Sequence, residues 1–456
     1  MGLKQDLIKA DKKGLFKCDS FYDCYSTGFL PIDYLNAFRI TYMDENGQPT
    51  SKLMTGLMGG KFITIIGYSG TGKTTLADQI AWSICNSYPA GASEDTIRKF
   101  KENTMFIHVD VEHTATMSRI KELTGASQYD ADNRMILNND NTYIEDVMAM
   151  IDQICQAKEA NQDEYTYPVD GRPFGLSKAV KVYVPTVFLI DSLPAFTSKN
   201  ADVSMLEGDM SANREVKQIS QFYTKCLGRM QKYNITIIAI NHIKSKIQIN
   251  PYEPDKPQLM LIKNGESLPR GQAPIYYAAY LFRISASGAK ANFKNAEDDG
   301  FEGFKSYFQV TKTKTAFIGG NVPIIFNGQI GYDPIASLLA LAMEYDITSG
   351  NKNKMILKGA EAYPFARKDF RMKFIEDEMF RLAIINALQP ILDSFVGTTA
   401  SLNPEAGSNF IPINQLIQVG DDGIMRAANI IETNTSHPSI MVVDKNQDPI
   451  KVAKVS

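Results

Sequence analysis

Gly67-Tyr68-Ser69-Gly70-Thr71-Gly72-Lys73-Thr74 fits the spacing G-x-x-x-x-G-K-[ST], and this stretch sets the chemistry open to the chain. Glycines let a backbone curl until successive N–H groups, together with a helix N-terminus, face polyphosphate oxygens. In such a loop Lys73 neutralises the β- and γ-phosphates, Thr74 ligates Mg²⁺, and Thr75 continues into the helix behind. A chance glycine-rich turn would also meet the pattern, but its flanks argue for the phosphate loop. The apolar run Phe62 to Ile66 precedes it, and Leu76, Ile80 and Ile84 recur every four residues after it, as a helix packed on a sheet requires.

Three further apolar runs stop at polar residues. Thr186 to Ile190 ends in Asp191, which fits the carboxylate that holds Mg²⁺ in phosphate-loop ATPases; a turn or helix cap is its other reading. Met105 to Val109 leads to Asp110-Val111-Glu112-His113. Transfer of a phosphoryl group to water needs a proton acceptor on the far side of the γ-phosphate, and Glu112, on a strand expected beside the phosphate-loop strand, is the candidate. Its other reading is a cap for a helix starting near Thr114. Ile235 to Ile240 ends in Asn241 and His242, where a polar side chain is placed to sense the γ-phosphate, although a lone histidine is more often structural. His108, His113, His242 and His437 form no metal constellation by spacing.

The elements that must position these residues follow from the same runs. β-branched stretches separated by helix-length segments such as Asn141 to Lys158 describe an α/β fold, a mostly parallel sheet flanked by helices, with ligands at the carboxyl ends of the strands. Runs at Tyr280 to Ser285, Tyr307 to Thr311 and Val322 to Phe326 extend the sheet, and Ile335 to Tyr345 reads as a helix. The expected divisions are a small N-terminal arm or oligomerisation segment over 1–55, a nucleotide core over 56–348 and a C-terminal α+β region over 349–456. The arm includes an amphipathic piece with Leu3 and Leu7 on one face and a turn at Asp44 to Pro49; the C-terminal region holds an amphipathic helix from Met372 to Phe395 and a polar linker from Thr398 to Asn409.

The formal net charge of −3 means that any nucleic-acid contact must come from a local patch. Two candidate loops follow strand ends. One, 200–214, contains Met205, Met210 and Arg214; the other, 244–272, contains Lys244, Lys246, Lys263 and Arg270 among turn-forming prolines. Cations on phosphates and aliphatic side chains between bases would suit a single strand, while a solvated insertion is the plainer reading. The five cysteines are scattered without zinc spacing and read as reduced thiols. The N-terminus lacks an apolar leader, Asp6 stands where myristoylation needs Ser or Thr, and no run reaches membrane-spanning length, so a cytoplasmic location away from membranes is expected.

The order of these motifs resembles the RecA family, and most closely the phage UvsX-type recombinases, over roughly residues 25 to 345. The resemblance rests on Ser26 to Asp33, the phosphate loop, Asp110 to His113, Leu189 to Ser192, Ile240 to His242 and Val310-Thr311-Lys312-Thr313-Lys314. It implies a RecA-like core that hydrolyses ATP with Mg²⁺ in a DNA-dependent way. Glu112 is then the catalytic glutamate, Asp191 the Mg²⁺-associated aspartate and His242 the γ-phosphate sensor. Lys312 and Lys314 become cations that reach a neighbouring copy's γ-phosphate, and the two loops become DNA-binding loops lining a filament axis. Without the family, an exposed K-x-K is most often a solvated face. Met117 and Arg119 stand near the adenine position. The implied partners are single- and double-stranded DNA, further copies of the chain in a helical filament, and loader and single-strand-binding proteins; for a phage protein the location is the host cytoplasm. The alternative expectation is a RecA-fold hexameric helicase, which would use an arginine finger where this chain offers lysines. A nucleotide-gated adaptor with little turnover is a third, against which Glu112 argues.

Overall fold

All seven expected strand runs enter one nine-stranded sheet. The computed structural model describes residues 23–140, 142–174, 176, 178–199, 210–245, 265–290, 303–314, 319–396, 417–419 and 425–427. The strands are β1 (Phe62–Gly67), β2 (Met105–Asp110), β3 (Met135–Asn138), β4 (Thr186–Asp191), β5 (Ile235–His242), β6 (Tyr280–Lys290), β7 (Gly303–Lys312), β8 (Asn321–Asn327) and β9 (Gly331–Asp333). They lie in the order β9-β8-β7-β6-β1-β5-β4-β2-β3. The pairings from β6 through β1 to β3 are parallel, and those among β6, β7, β8 and β9 are antiparallel. The two edge strands β3 and β9, four and three residues long, are too short to leave an apolar run and are missing from the sequence reading.

Residue alternation explains how both faces are covered. Ile63 and Ile65 of β1, Phe106 of β2, Leu189 of β4 and Ile238 and Ile240 of β5 share one core with Leu76, Ile80 and Ile84 of helix α1 (Lys73–Asn86). Their neighbours Phe62, Ile107, Val109, Phe188, Ile190 and Ile237 turn to the other face, against Ile151 of α3 (Ile144–Ala160) and Phe222 of α4 (Met210–Tyr233). A period of two on strands buried on both sides produces the near-continuous apolar runs seen in the sequence. Each fully buried Leu or Ile of α1 contributes roughly 1.5–3 kcal/mol, so α1 is fixed on the sheet and the loop before it has little freedom. Between β2 and β3 lies α2 (Met117–Thr124), and α5 (Pro334–Glu344) follows β9 with Asp333 as its N-cap.

The described N-terminal residues belong to this assembly. Tyr25, Phe29, Ile32 and Leu35 lie in the core that also holds α1, as do Ile384, Leu388 and Leu392 of the C-terminal helix α6 (Glu378–Phe395). The chain divides into two compact units, Met1–Thr399 and Ala400–Ser456. The single helix expected from Met372 to Phe395 is two, Phe370–Glu376 and α6. Asp377 interrupts it with extended dihedrals (φ −102°, ψ 105°) while its carboxylate accepts from Phe380 N at 3.0 Å, capping α6. In the second unit the described residues form an antiparallel pair, Ile417–Val419 with Met425–Ala427. Among the described residues no helix is long and apolar enough to cross a membrane.

Candidate nucleotide site

The parallel strands bring their carboxyl ends to one edge, where Gly67 pairs in register with His242 and Asp191 with Asp110. The phosphate loop leaves β1 at this edge. Gly70 and Gly72 both take φ +75°, a left-handed conformation costly for any residue with a Cβ. A Cβ on Gly67 would lie 2.7 Å from the Ile284 carbonyl and 2.9 Å from Thr71 Oγ1, and one on Gly72 would lie 2.8 Å from the Tyr332 hydroxyl. Tyr332 donates to the Thr71 carbonyl at 2.7 Å, and Gln79 of α1 donates to the Ile330 and Tyr332 carbonyls at 3.0 and 2.9 Å. The loop is thus held from behind by β9, while Tyr68, Ser69 and Gly70 stay exposed.

Lys73 is buried and donates to the Tyr68 carbonyl at 2.7 Å, which Thr71 Oγ1 also reaches at 2.9 Å. Burial pushes its ammonium down to about 8, against the pull of Asp191 and Glu112. Thr74 Oγ1 donates to Asp191 Oδ2 at 2.5 Å. Burial raises the Asp191 carboxyl to about 6, opposed by the Thr74 hydroxyl and by His108. A hydroxyl and a carboxylate side by side at the head of α1 are hard oxygen donors of the kind Mg²⁺ takes alongside substrate phosphates, so these residues fit that ion. Beneath them, His108 Nδ1 lies 2.9 Å from Asp78 Oδ1, both side chains buried. Among the described residues no group of three or more His, Cys, Asp or Glu could hold a metal by itself.

Glu112 reaches the site by a route the sequence does not reveal. Its strand is not beside β1 as expected, because β5 and β4 stand between β1 and β2. The turn after β2 curls back: Val111 N and Glu112 N both donate to the Asp191 carbonyl, at 2.8 and 3.3 Å, and Asp110 Oδ2 accepts from Ala115 N at 2.7 Å. The Glu112 carboxylate therefore lies over the ends of β4 and β5. Its Oε1 accepts from the Ser192 hydroxyl and lies 3.3 Å from His242 Nε2. Glu112 does not cap the following helix; α2 begins at Met117 with Thr116 as its N-cap. Burial and the nearby Lys73 hold His242 below the ordinary imidazole range, with Glu112 pulling the other way, which favours the neutral ring at pH 7. Buried Asn241 donates to the Pro269 carbonyl at 3.1 Å, tying the end of β5 to the far end of the second loop.

The remaining candidates occupy separate places. Arg119 donates to the Gly328 and Gln329 carbonyls at 2.9 and 3.0 Å, joining α2 to the turn before β9. Thr75, half-buried, stands against Gly331 in that same region. Lys312 at the end of β7 donates to the Ile275 and Tyr276 carbonyls at 2.6 and 2.9 Å, and Lys314 is exposed. Arg270 donates to the Leu193 and Pro194 carbonyls at 3.1 and 2.7 Å. Met210 and Arg214, expected in a loop, lie on the first turns of α4. Lys244 is exposed on a two-residue strand, while Met205, Lys246 and Lys263 lie outside the described residues.

Sequence reasoning missed Ser192, Tyr332, Asp78 and Gln79. Asp78 left a signal, a charged residue on the apolar face of α1, as His108 did inside an apolar strand.

A family model described as an AAA domain matches residues 37–246. No curated protein matches the chain. The matched span holds the phosphate loop, Glu112, Asp191 and His242, and with the parallel sheet that brings them to one edge it is a P-loop ATPase domain of the RecA fold.

Proposed function

We propose that this ATPase is a DNA recombinase, which assembles as a helical filament on single-stranded DNA with ATP bound and exchanges that strand with a homologous duplex. The supporting observation is the Glu112 to His242 contact at the end of β5. From His242 the chain passes through buried Ile243 directly to exposed Lys244 and the second candidate DNA loop. A change at the γ-phosphate that draws Glu112 or His242 therefore acts two residues from the root of that loop.

In the reaction, Lys73 exchanges the Tyr68 carbonyl for β- and γ-phosphate oxygens, and its protonated form is the one that binds them. Glu112 orients the attacking water and takes its proton, while Ser192 holds the carboxylate through Oε1. Thr74 and Asp191 would hold Mg²⁺, which when bound neutralises charge on the phosphate oxygens. Lys312 and Lys314 of an adjacent copy would add charge stabilisation at the transferring phosphoryl.

Electron microscopy of the purified chain with single-stranded DNA and a non-hydrolysable ATP analogue tests the reading. Helical filaments that need both additions are expected. Closed rings would transfer the site to a hexameric motor, and a monomer with DNA and nucleotide both saturating would end the proposal.

A further inference from the structure

Tyr68, at the second position of the phosphate loop, serves two contacts at once. Its carbonyl is the acceptor that holds Lys73 Nζ (2.7 Å) and Thr71 Oγ1 (2.9 Å). The residue is 42 % exposed, and its phenol donates to Glu266 Oε1 at 2.9 Å. Ser245 and Glu266 are direct partners in an antiparallel ribbon, Lys244–Ser245 with Glu266–Ser267, so the phenol is bonded to one strand of it at the residue that pairs with the other.

That ribbon is fixed on its other side. Glu266 is buried and accepts from both terminal nitrogens of Arg283, at 2.7 and 2.5 Å. Arg283 sits on β6 in register with Ile66 of β1, the residue that precedes the phosphate loop. The guanidinium satisfies the charge of the carboxylate by itself through a two-point pair. The phenol is thus a third donor that the buried charge does not require. Removing its hydroxyl strands no ion, which separates a coupling role from a folding role.

We infer that Tyr68 is a positioning residue that couples occupancy of the phosphate loop to the Lys244–Ser245/Glu266–Ser267 ribbon. Lys73 cannot keep its ligand-free hold on the Tyr68 carbonyl while it turns to phosphate oxygens, although Thr71 can. The peptide that loses that donor carries the phenol, and the phenol carries the ribbon. The inference rests on the nucleotide-site part of the proposed function and extends it: besides His242 at the end of β5, a second connection enters the same ribbon from the loop itself.

The test is amide hydrogen exchange on the full chain, with and without Mg²⁺ and a non-hydrolysable ATP analogue, following residues 243–245 and 265–267. Nucleotide is expected to change exchange there by about fivefold or more in the wild type, the low end of ordinary coupling between sites, and by less than about twofold in Tyr68→Phe. A Tyr68→Phe response equal to that of the wild type overturns the inference, as does a wild type that binds the analogue without any change in the ribbon. Calorimetric titration of the analogue runs alongside. A wild type that fails to bind it overturns the nucleotide-site reading itself and the inference with it, so the two failures are told apart.

Discussion

In the proposed reaction Lys73 and Glu112 divide the work of the site between binding and chemistry. Lys73→Ala removes the cation that meets the phosphates and should abolish Mg²⁺–ATP binding. Glu112→Ala should retain binding and lose turnover by about 10²–10⁴-fold, the span of a general base. Equal nucleotide affinity in the two variants, read by titration, would contradict these roles. Ser192→Ala should lower kcat by roughly tenfold with KM little changed, because its hydroxyl touches the Glu112 carboxylate and no phosphate position. Asp191 illustrates what the proposed Mg²⁺ site costs the fold. Its buried carboxyl is raised to about 6 from an ordinary 3.8, so the native state binds more protons than the unfolded chain between those values. Above pH 6 the ionised side chain opposes folding in full; below about 4 the effect is gone. Asp191→Asn should therefore stabilise the ligand-free protein at pH 7.5 by on the order of 1–3 kcal/mol, and the gain should vanish as the pH falls towards 4, as denaturant midpoints would show.

At the scale of elements, the turn between β1 and α1 depends on Gly72 for both its dihedral and its clearance from Tyr332. Gly72→Ala should cost about 1–2 kcal/mol from the left-handed backbone alone, with further loss of nucleotide affinity as the Tyr332 hydroxyl is pushed off the Thr71 carbonyl. The opposite edge of the sheet carries a different dependence. Lys158 on α3 is buried and donates to the Val184 and Tyr233 carbonyls at 2.7 and 2.9 Å, and burial pushes its ammonium down to about 7. Between about pH 7 and 10.5 the unfolded chain holds this proton more firmly than the native state, so its contribution to stability rises with pH across that window. Relative to Lys158→Met, the wild type should gain up to about 1.4 kcal/mol per pH unit there. A difference between the two that is flat with pH would refute the assignment.

Much of the fold and of the site is legible in the sequence, for reasons that differ by residue. The phosphate loop and Asp191 can be placed because each closes an apolar run long enough to name a strand, and parallel strands send such closures to one edge. Glu112 can be named but not located: strand order is absent from a linear sequence, and only the turn held on the Asp191 carbonyl shows how it crosses β4. Ser192 and Tyr332 give no signal, since a serine after an aspartate and a tyrosine on a three-residue edge strand resemble a great many others. Asp377 looks like one more polar residue in a helical stretch; its cap on α6 depends on a backbone angle that helical periodicity does not report.

For the molecule as a whole, the proposed filament needs cations from one copy at the nucleotide of the next. Lys312 is committed to two carbonyls within its own chain, and burial together with Lys314 lowers its ammonium, so an adjacent phosphate must outcompete those carbonyls. The Lys312→Ala/Lys314→Ala double variant should bind ATP yet hydrolyse it poorly. Lys73→Ala keeps both lysines and binds none. Mixed together with DNA, the two should hydrolyse about tenfold faster than either alone, because some interfaces then pair an intact site with intact cations. Mixing that restores nothing would count against action between copies.

The grip of Tyr332 on the Thr71 carbonyl spans 261 residues of sequence. During synthesis the glycine-rich turn leaves the ribosome long before the edge strand that braces it, so an N-terminal fragment already carrying Lys73, Glu112 and Asp191 still lacks the support that shapes its phosphate cradle. A fragment that ends before β9 should therefore bind ATP more weakly than the full chain, because the turn that would hold the phosphates lacks its brace.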